Sequence, residues 1–459
     1  MPTRAAKRKK VAQSTPAVSA EDDKHTTFTN WAVNHGVEIN GVKPASIPDR
    51  GVGLLTTKPV KEGDRILFIP EKAMFKPDTA LLRRETLDRA SPQAQLAVSA
   101  MLKFGAKDSS LKLWQDVWPT GADFEDSMPM CWPASTQEFL PPPVQQPLAR
   151  QLADYRNDWS SARRVCAQHG FIEREFKYYW MIVNSRSFHW KPPRGKGGSM
   201  VMCPFIDYMN HGPSGSGCNV SQSPKGYEVV ADRDYDTLHN LQKVIHHLPF
   251  YVPVHHLRNP DCINMRNDQV SAGESSLNIF QSSLSEFAHA DTTAEPGEEV
   301  LATYGAHSND KLLVHYGFIC SSKDGTPSPD DEIRLDQLII PILGADIQNQ
   351  LQDVGYLGGY ALSPASNEIC FKTEVAVRAT LLTSNEWEYF IASGEDLSVD
   401  KSAEVKRYLE TLFAEHCKHV KETMEKLRGL DEYSGSAPHT TLLLRWTQVL
   451  EGLETFINT

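Results

Sequence analysis

None of the eight cysteines, Cys131, Cys166, Cys203, Cys218, Cys262, Cys320, Cys370 and Cys417, pairs with another in a Cys-x-x-Cys spacing. That excludes a cysteine zinc site and a disulfide framework, and leaves buried free thiols as the reading. No apolar run approaches the length that crosses a bilayer, and the basic start is not followed by the hydrophobic stretch of a secretory signal. The sequence therefore reads as soluble and intracellular, cytoplasmic or nuclear, with no membrane partner. Positive charge is also short: 47 Lys and Arg stand against 58 Asp and Glu, a net charge of −11. A nucleic-acid binder held by phosphate contacts is not expected, and a basic partner suits such a surface better.

What is present is a folding composition. Forty per cent hydrophobic and 9% aromatic residues over 459 positions supply sizeable cores, and the length suits two or three domains. Residues 1–25 carry Arg4, Lys7, Arg8, Lys9 and Lys10 without apolar periodicity and read as a disordered basic tail or an import signal, with order starting near Phe28 and Trp31. From Asp49 to Phe75 two apolar runs flank Lys61-Glu62-Gly63-Asp64, a strand, turn, strand pattern. Helix-length segments then fill about 78–184, and strands return at Met200–Pro204, Tyr227–Ala231 and Val300–Tyr304. The stretch near 309–317 reads as a short helix. Beyond 333 the stripes Leu409, Phe413, Cys417, Val420, Met424, Leu427 and Trp446, Val449, Leu453 predict an all-α C-terminal domain spanning 333–459. The fold class is α+β.

One segment is anomalous. From Asp236 to about Ala294 the composition shifts to His, Asn and Ser, and includes His246, His247, His255 and His256. Joining Tyr235 directly to Glu295 would give an ordinary hairpin turning at Pro296-Gly297, so the segment reads as a late, disordered insertion. The paired histidines lack fixed acidic or cysteine partners, and no metal is expected.

Gly51-Val52-Gly53 permits close approach of a ligand to the backbone, but it fails as a dinucleotide fingerprint because Thr56 stands where the third glycine belongs. Three dense segments accompany it: Asn184-Ser185-Arg186-Ser187-Phe188, then Cys203-Pro204-Phe205-Ile206-Asp207-Tyr208-Met209-Asn210-His211, then Gly297-Glu298-Glu299-Val300-Leu301-Ala302-Thr303-Tyr304-Gly305. Ser308-Asn309-Asp310 and His315-Tyr316-Gly317-Phe318 follow. In this order and combination the chain resembles the SET-domain protein methyltransferases, in the branch of the Rubisco large-subunit lysine methyltransferase and its fungal and animal relatives. The resemblance runs from about 28 to 318, helical insertion included, and more weakly into the C-terminal domain.

The resemblance implies a β-rich fold with one segment threaded through a loop of another, S-adenosylmethionine as cofactor, and a target-lysine channel entered from the opposite face. Arg50, Gly51, Val52 and Gly53 are expected at the cofactor through the backbone, Ser185 and Arg186 at its amino-acid end, and Asn210 with His211 at the adenine. Arg186, Phe188, Asp207, Tyr227 and Tyr316 are expected to line the substrate side, with Tyr304 as the catalytic phenol touching both. The chemistry suits these residue types. A lysine amine with ordinary pKa near 10.4 must shed its proton before it attacks a methyl carbon, and an aromatic, apolar channel beside a sulfonium disfavours the ammonium. Holding the amine about 3 Å from that carbon supplies several kcal/mol by proximity. The expected function is protein-lysine methylation of a non-histone protein, ribosomal or translational, by a monomer whose C-terminal helices grip the substrate. Two alternatives stay open at this point: a protein-histidine methyltransferase of the same branch, and a non-catalytic SET-fold interaction protein in which the 236–294 insertion has broken the site.

Overall fold

The structure, a computed structural model, describes residues 20–48, 50–107, 109–192, 198–235, 249–251, 297–322, 326–393, 401–430 and 435–459. The basic cluster Arg4 to Lys10, the four paired histidines and Cys262 lie outside the described residues. The first helix, Ala20–Asn34, starts inside the stretch read as tail. Long-range contacts explain the earlier start. The His25 ring hydrogen-bonds the Tyr208 hydroxyl at 2.7 Å, and Phe28, fully buried, packs its ring against Phe205, Trp31 and Trp114. Tyr208, Phe205 and Trp114 lie far along the chain and leave no local periodic signal.

The strands fall into several small antiparallel sheets. β1 (Glu38–Ile39), β4 (Arg65–Pro70), β7 (Asn219–Ser223) and β8 (Gly226–Val230) form one sheet in the order β1-β4-β8-β7, and Ile66, Leu67 and Ile69 of β4 are buried in its core. β2 (Val42–Ile47), β3 (Gly51–Thr56) and β10 (Glu299–Val300) form a second, in the order β10-β3-β2, with Leu54 opposite Val300 and Leu55 opposite Glu299. The two runs between Asp49 and Phe75 thus belong to different sheets. β5 (Ser187–Trp190) and β6 (Ser199–Met202) pair as a hairpin.

The hairpin expected across the 236–294 segment is not formed. Tyr235 bridges Val60, whereas Glu299 and Val300 pair with β3, so the chain leaves one sheet and re-enters at another. The Thr56 amide donates to the Glu298 carbonyl at 2.9 Å, and the Glu298 amide donates to Thr56 Oγ1 at 2.9 Å, which fixes the re-entry point. Within the segment only β9 (Pro249–Tyr251) is described, and it pairs with β11 (Cys320–Ser322). The rest of that reading lies outside the described residues.

Helices occupy much of 78–186, among them Pro92–Phe104, Pro142–Gln168 and Glu173–Arg186. Ser91 caps the first of these by accepting from the Ala94 amide at 3.0 Å, and Ala97, Met101 and Phe104 put one face into the core at helical spacing. In the C-terminal stretch expected to be an all-α domain, Ser402–Arg428 packs against Ala437–Asn458 along the predicted stripes. This domain also holds a short three-stranded sheet, β12 (Ile333–Arg334), β13 (Ala361–Ser363) and β14 (Glu368–Ile369), so it is not all-α. Strands of two or three residues are too short to show an alternation in the sequence. Among the described residues no helix is long and apolar enough to cross a membrane, and no group of three or more His, Cys, Asp or Glu is gathered for a metal.

Candidate active site

The site is assembled at the joint between β3, β10 and the loop that begins at Asn210. Gly51 sits at φ +73°, the left-handed region, with no heavy atom within 4 Å of where a Cβ would stand. That leaves bare backbone facing open space. Gly53 is crowded instead: a Cβ there would lie 2.8 Å from Asn210 Nδ2, 2.8 Å from Glu299 Oε1 and 2.5 Å from Ile47 Cδ1. The crowding has a purpose, because Glu299 Oε2 pairs with Arg50 Nη1 at 2.7 Å while its Oε1 accepts from Asn210 Nδ2 at 2.9 Å. Arg50 Nη2 reaches the His211 carbonyl at 3.3 Å. Both Arg50 and Glu299 are buried; burial raises the Glu299 carboxyl above its usual range, and Arg50 and Asn210 pull it back. Arg50 was expected to act through its backbone alone, and Glu299 was not singled out. A buried ion pair binds them into one unit.

Threading is visible in the hydrogen bonds. The Ala302 amide donates to the Asn210 carbonyl at 2.9 Å, the Gly212 amide to the Ala302 carbonyl at 3.0 Å, and the Cys218 amide to the Leu301 carbonyl at 2.7 Å. The loop 210–218 therefore closes around Leu301 and Ala302, and delivers Tyr304 beside His211. The Tyr304 amide donates to His211 Nδ1 at 3.1 Å, which puts the ring proton on Nε2, and the two rings lie 5.1 Å apart. The Tyr304 hydroxyl donates to the Met209 carbonyl at 2.7 Å. Burial pushes this phenol up to about 12; Arg186 and Arg50 oppose the shift, while Tyr316 and Asp207 add to it. Tyr316 stands 5.0 Å from Tyr304, and Phe318, which the sequence reading did not single out, closes the group at 6.2 Å from His211 and from Tyr316.

The remaining expected residues are placed less directly. Ser185 ends its helix by donating to the Met181 carbonyl at 2.8 Å. Arg186 Nη1 donates to the Asp207 carbonyl at 2.8 Å and lies 3.6 Å from its carboxylate, whose side chain is only 4% exposed. Asp207 is therefore the buried partner of Arg186 rather than a carboxylate open to substrate, since an ion removed from water needs its counter-ion. The turn that carries it is strained at Phe205, a non-glycine residue at φ +74° clamped by Phe28 and Tyr208. Phe188 and Tyr227 pack together at 5.4 Å, joined by Trp190, and the Tyr227 hydroxyl is spent on the His189 carbonyl. No ring contact among the described residues links this pair to Tyr304.

Burial also pushes His211 down, to about 4, with His307 and Arg50 adding to the effect and Asp330 opposing it. A folded-state pKa below the ordinary 6.5 means the unfolded chain takes up the proton first. Stability supplied by the neutral ring is full above pH 6.5 and is lost as the pH falls toward 4, to the extent of roughly 3 kcal/mol. His416, also pushed to about 4 by burial and then His419, acts in the same window. Comparing melting temperatures of wild type and His211→Asn from pH 7 to 4 isolates the His211 part: the wild type should lose stability more steeply, and equal slopes would mean the ring is not held neutral.

No protein-family model matches the chain. It is 31% identical to the ribosomal lysine N-methyltransferase set11 of Schizosaccharomyces pombe over 152 residues, 30% of this chain and 37% of that protein. It is 24% identical to ribosomal lysine N-methyltransferase 2 of Saccharomyces cerevisiae over 358 residues, 70% of this chain and 64% of that one. A mouse (Mus musculus) protein, SET domain-containing protein 4, is 24% identical over 235 residues, 46% of this chain and 52% of the relative. The chain thus spans about half the length of the curated relatives it matches. Among solved structures it superposes on the SET domain of LSMT bound to lysine and AdoHcy with a TM-score of 0.55 over 96% of this chain and 91% of the other, at 14% identity. Rubisco LSMT bound to AdoMet gives the same TM-score and identity over 95% and 91%. This chain has the fold of the LSMT SET domain. The α+β class is that of the neighbours, and the threaded 297–305 segment of this SET fold carries Tyr304 to the Asn210-His211 pair.

Proposed function

We propose that the chain is an S-adenosylmethionine-dependent protein-lysine N-methyltransferase acting on a non-histone protein. The observation that carries this reading is the Tyr304 phenol, anchored by the Met209 carbonyl, with the Arg50, Asn210 and His211 cluster on one side and Tyr316 and Phe318 on the other. The residues present fit the cofactor: the open backbone at Gly51 admits a ligand, while Asn210 and His211 are fixed beside it by Glu299 and Tyr304. Arg50, Gly51, Val52, Gly53, Asn210 and His211 would hold its nucleoside part and Ser185 with Arg186 its amino-acid end. When bound, S-adenosylmethionine supplies an electrophilic methyl group on a positively charged sulfur.

The chain's own residues do the rest. Tyr304 and Tyr316 with Phe318 exclude water from the lysine side chain and penalise its ammonium form, so the amine enters neutral. Neutral phenols suit this role, and burial keeps both tyrosines protonated by raising their pKa values. Carbonyl oxygens and the Tyr304 hydroxyl offer weak acceptors along the transfer line. A ribosomal or translational substrate is supported by the names of two relatives and by the acidic surface, which draws basic proteins. The test is incubation of the purified protein with labelled cofactor and cell lysate, followed by mass spectrometry of labelled bands. Methyl groups on lysine Nζ are expected; label on histidine, or none, would overturn the reading.

A further inference from the structure

The Ser308-Asn309-Asp310 motif is left over once the pocket is assembled, and it faces away from it. Asn309 and Asp310 open the helix Asn309–Tyr316 and are both buried. Two of their partners, Arg445 and Gln448, come from the helix Ala437–Asn458. Arg445, wholly buried in the helix Ala437–Asn458, sends Nε to Asp310 Oδ1 and Nη1 to Asp331 Oδ2, each at 2.7 Å. Asn309 donates from Nδ2 to Gln448 Oε1 at 3.0 Å and from its amide to Asp331 Oδ1 at 2.9 Å, while its own Oδ1 accepts from the Cys320 amide at 2.7 Å. Gln448 Nε2 completes the ring at the Cys320 carbonyl, 2.8 Å. The helical insertion holds the same short helix from another side, through Gln151 Nε2 on the Val314 carbonyl at 3.0 Å. The helix is eight residues and about 12 Å long and ends at Tyr316, whose ring abuts Tyr304.

We infer that Arg445 is a positioning residue, through which the C-terminal domain sets the height of the helix Asn309–Tyr316 and so holds Tyr316 and Phe318 against Tyr304. This rests on the methyltransferase reading. Adhesion alone would not call for this arrangement, because a buried guanidinium between two carboxylates adds little net stability over apolar packing of equal volume. What it adds is geometry: a planar fork with fixed donor directions locks the helix start to the helix Ala437–Asn458. The aromatic wall then depends on the C-terminal domain being docked.

The test uses the full chain with Asp310→Asn, which keeps shape and the Arg445–Asp331 pair, and Arg445→Lys, which keeps charge but loses the fork. Hydrogen exchange should accelerate on the order of ten-fold in peptides covering 309–318 in both variants, while the far half of the helix Ala437–Asn458 stays protected. Turnover should fall about ten-fold with S-adenosylmethionine affinity within about three-fold, a split that general loosening would not produce. Unchanged exchange at 309–318 in a folded variant overturns the inference, as does faster exchange with unaltered turnover. If the wild type transfers no methyl group, the activity reading fails by itself, and the exchange result still decides whether Arg445 positions this helix.

Discussion

Tyr304→Phe is expected to lower the rate of methyl transfer on the order of 100-fold while leaving S-adenosylmethionine affinity within about three-fold. The substitution removes one oxygen and keeps the ring, so the packing against His211 at 5.1 Å and Tyr316 at 5.0 Å persists. What disappears is the hydroxyl anchored on the Met209 carbonyl, and with it the fixed acceptor beside the reacting atoms. The orphaned carbonyl costs about 1–2 kcal/mol of stability, too little to unfold the protein. Single-turnover kinetics with a lysine-bearing substrate separates the two effects. A rate within about three-fold of wild type would remove Tyr304 from the chemistry.

A second large effect is expected at Glu299, which touches no reacting atom. Glu299→Ala removes the counter-ion of the buried Arg50 guanidinium and releases the Asn210 amide, and breaking such a pair costs about 3–5 kcal/mol. The melting temperature should drop on the order of 10 °C, and cofactor binding should become undetectable at micromolar protein. The double variant Arg50→Met with Glu299→Leu replaces ion pair by apolar packing. It should recover most of the melting temperature without recovering cofactor affinity, because Asn210 stays unmoored. Recovery of both would show that the pair serves stability alone.

How far the sequence was readable depends on whether a signal was local. The three dense segments, the strands around Leu54 and Ile66, and the helical stripes ending at Leu427 and Leu453 were legible because periodicity and motif order are local properties. Glu299 was hidden in a motif with a neighbouring acid, and only its burial against Arg50, almost 250 positions earlier, distinguishes it from a solvated carboxylate. Asp207 reads as a channel residue in the sequence for the same reason; its counter-ion Arg186 is revealed by space, not by spacing. Joining Tyr235 to Glu295 looked like a hairpin because Pro-Gly is a strong turn signal, yet Val60 and Leu55 claim the two strands separately. Phe318 carried a faint signal, two residues after Tyr316 and just past the helix end, where the chain turns back toward the pocket. Arg445 carried none: an arginine in an apolar stripe declares itself only when Asp310 and Asp331 are seen around it.

The account as a whole stands on Gly51, Asn210, His211 and Tyr304 forming one ligand pocket. Calorimetric titration of the purified chain with S-adenosylmethionine addresses it most directly. One equivalent should bind with micromolar affinity, and Gly53→Val, which drives a side chain into Asn210 and Glu299, should abolish the heat while the protein remains folded. Wild-type protein that binds no S-adenosylmethionine, or a valine variant that binds it as tightly as wild type, would contradict the pocket described here.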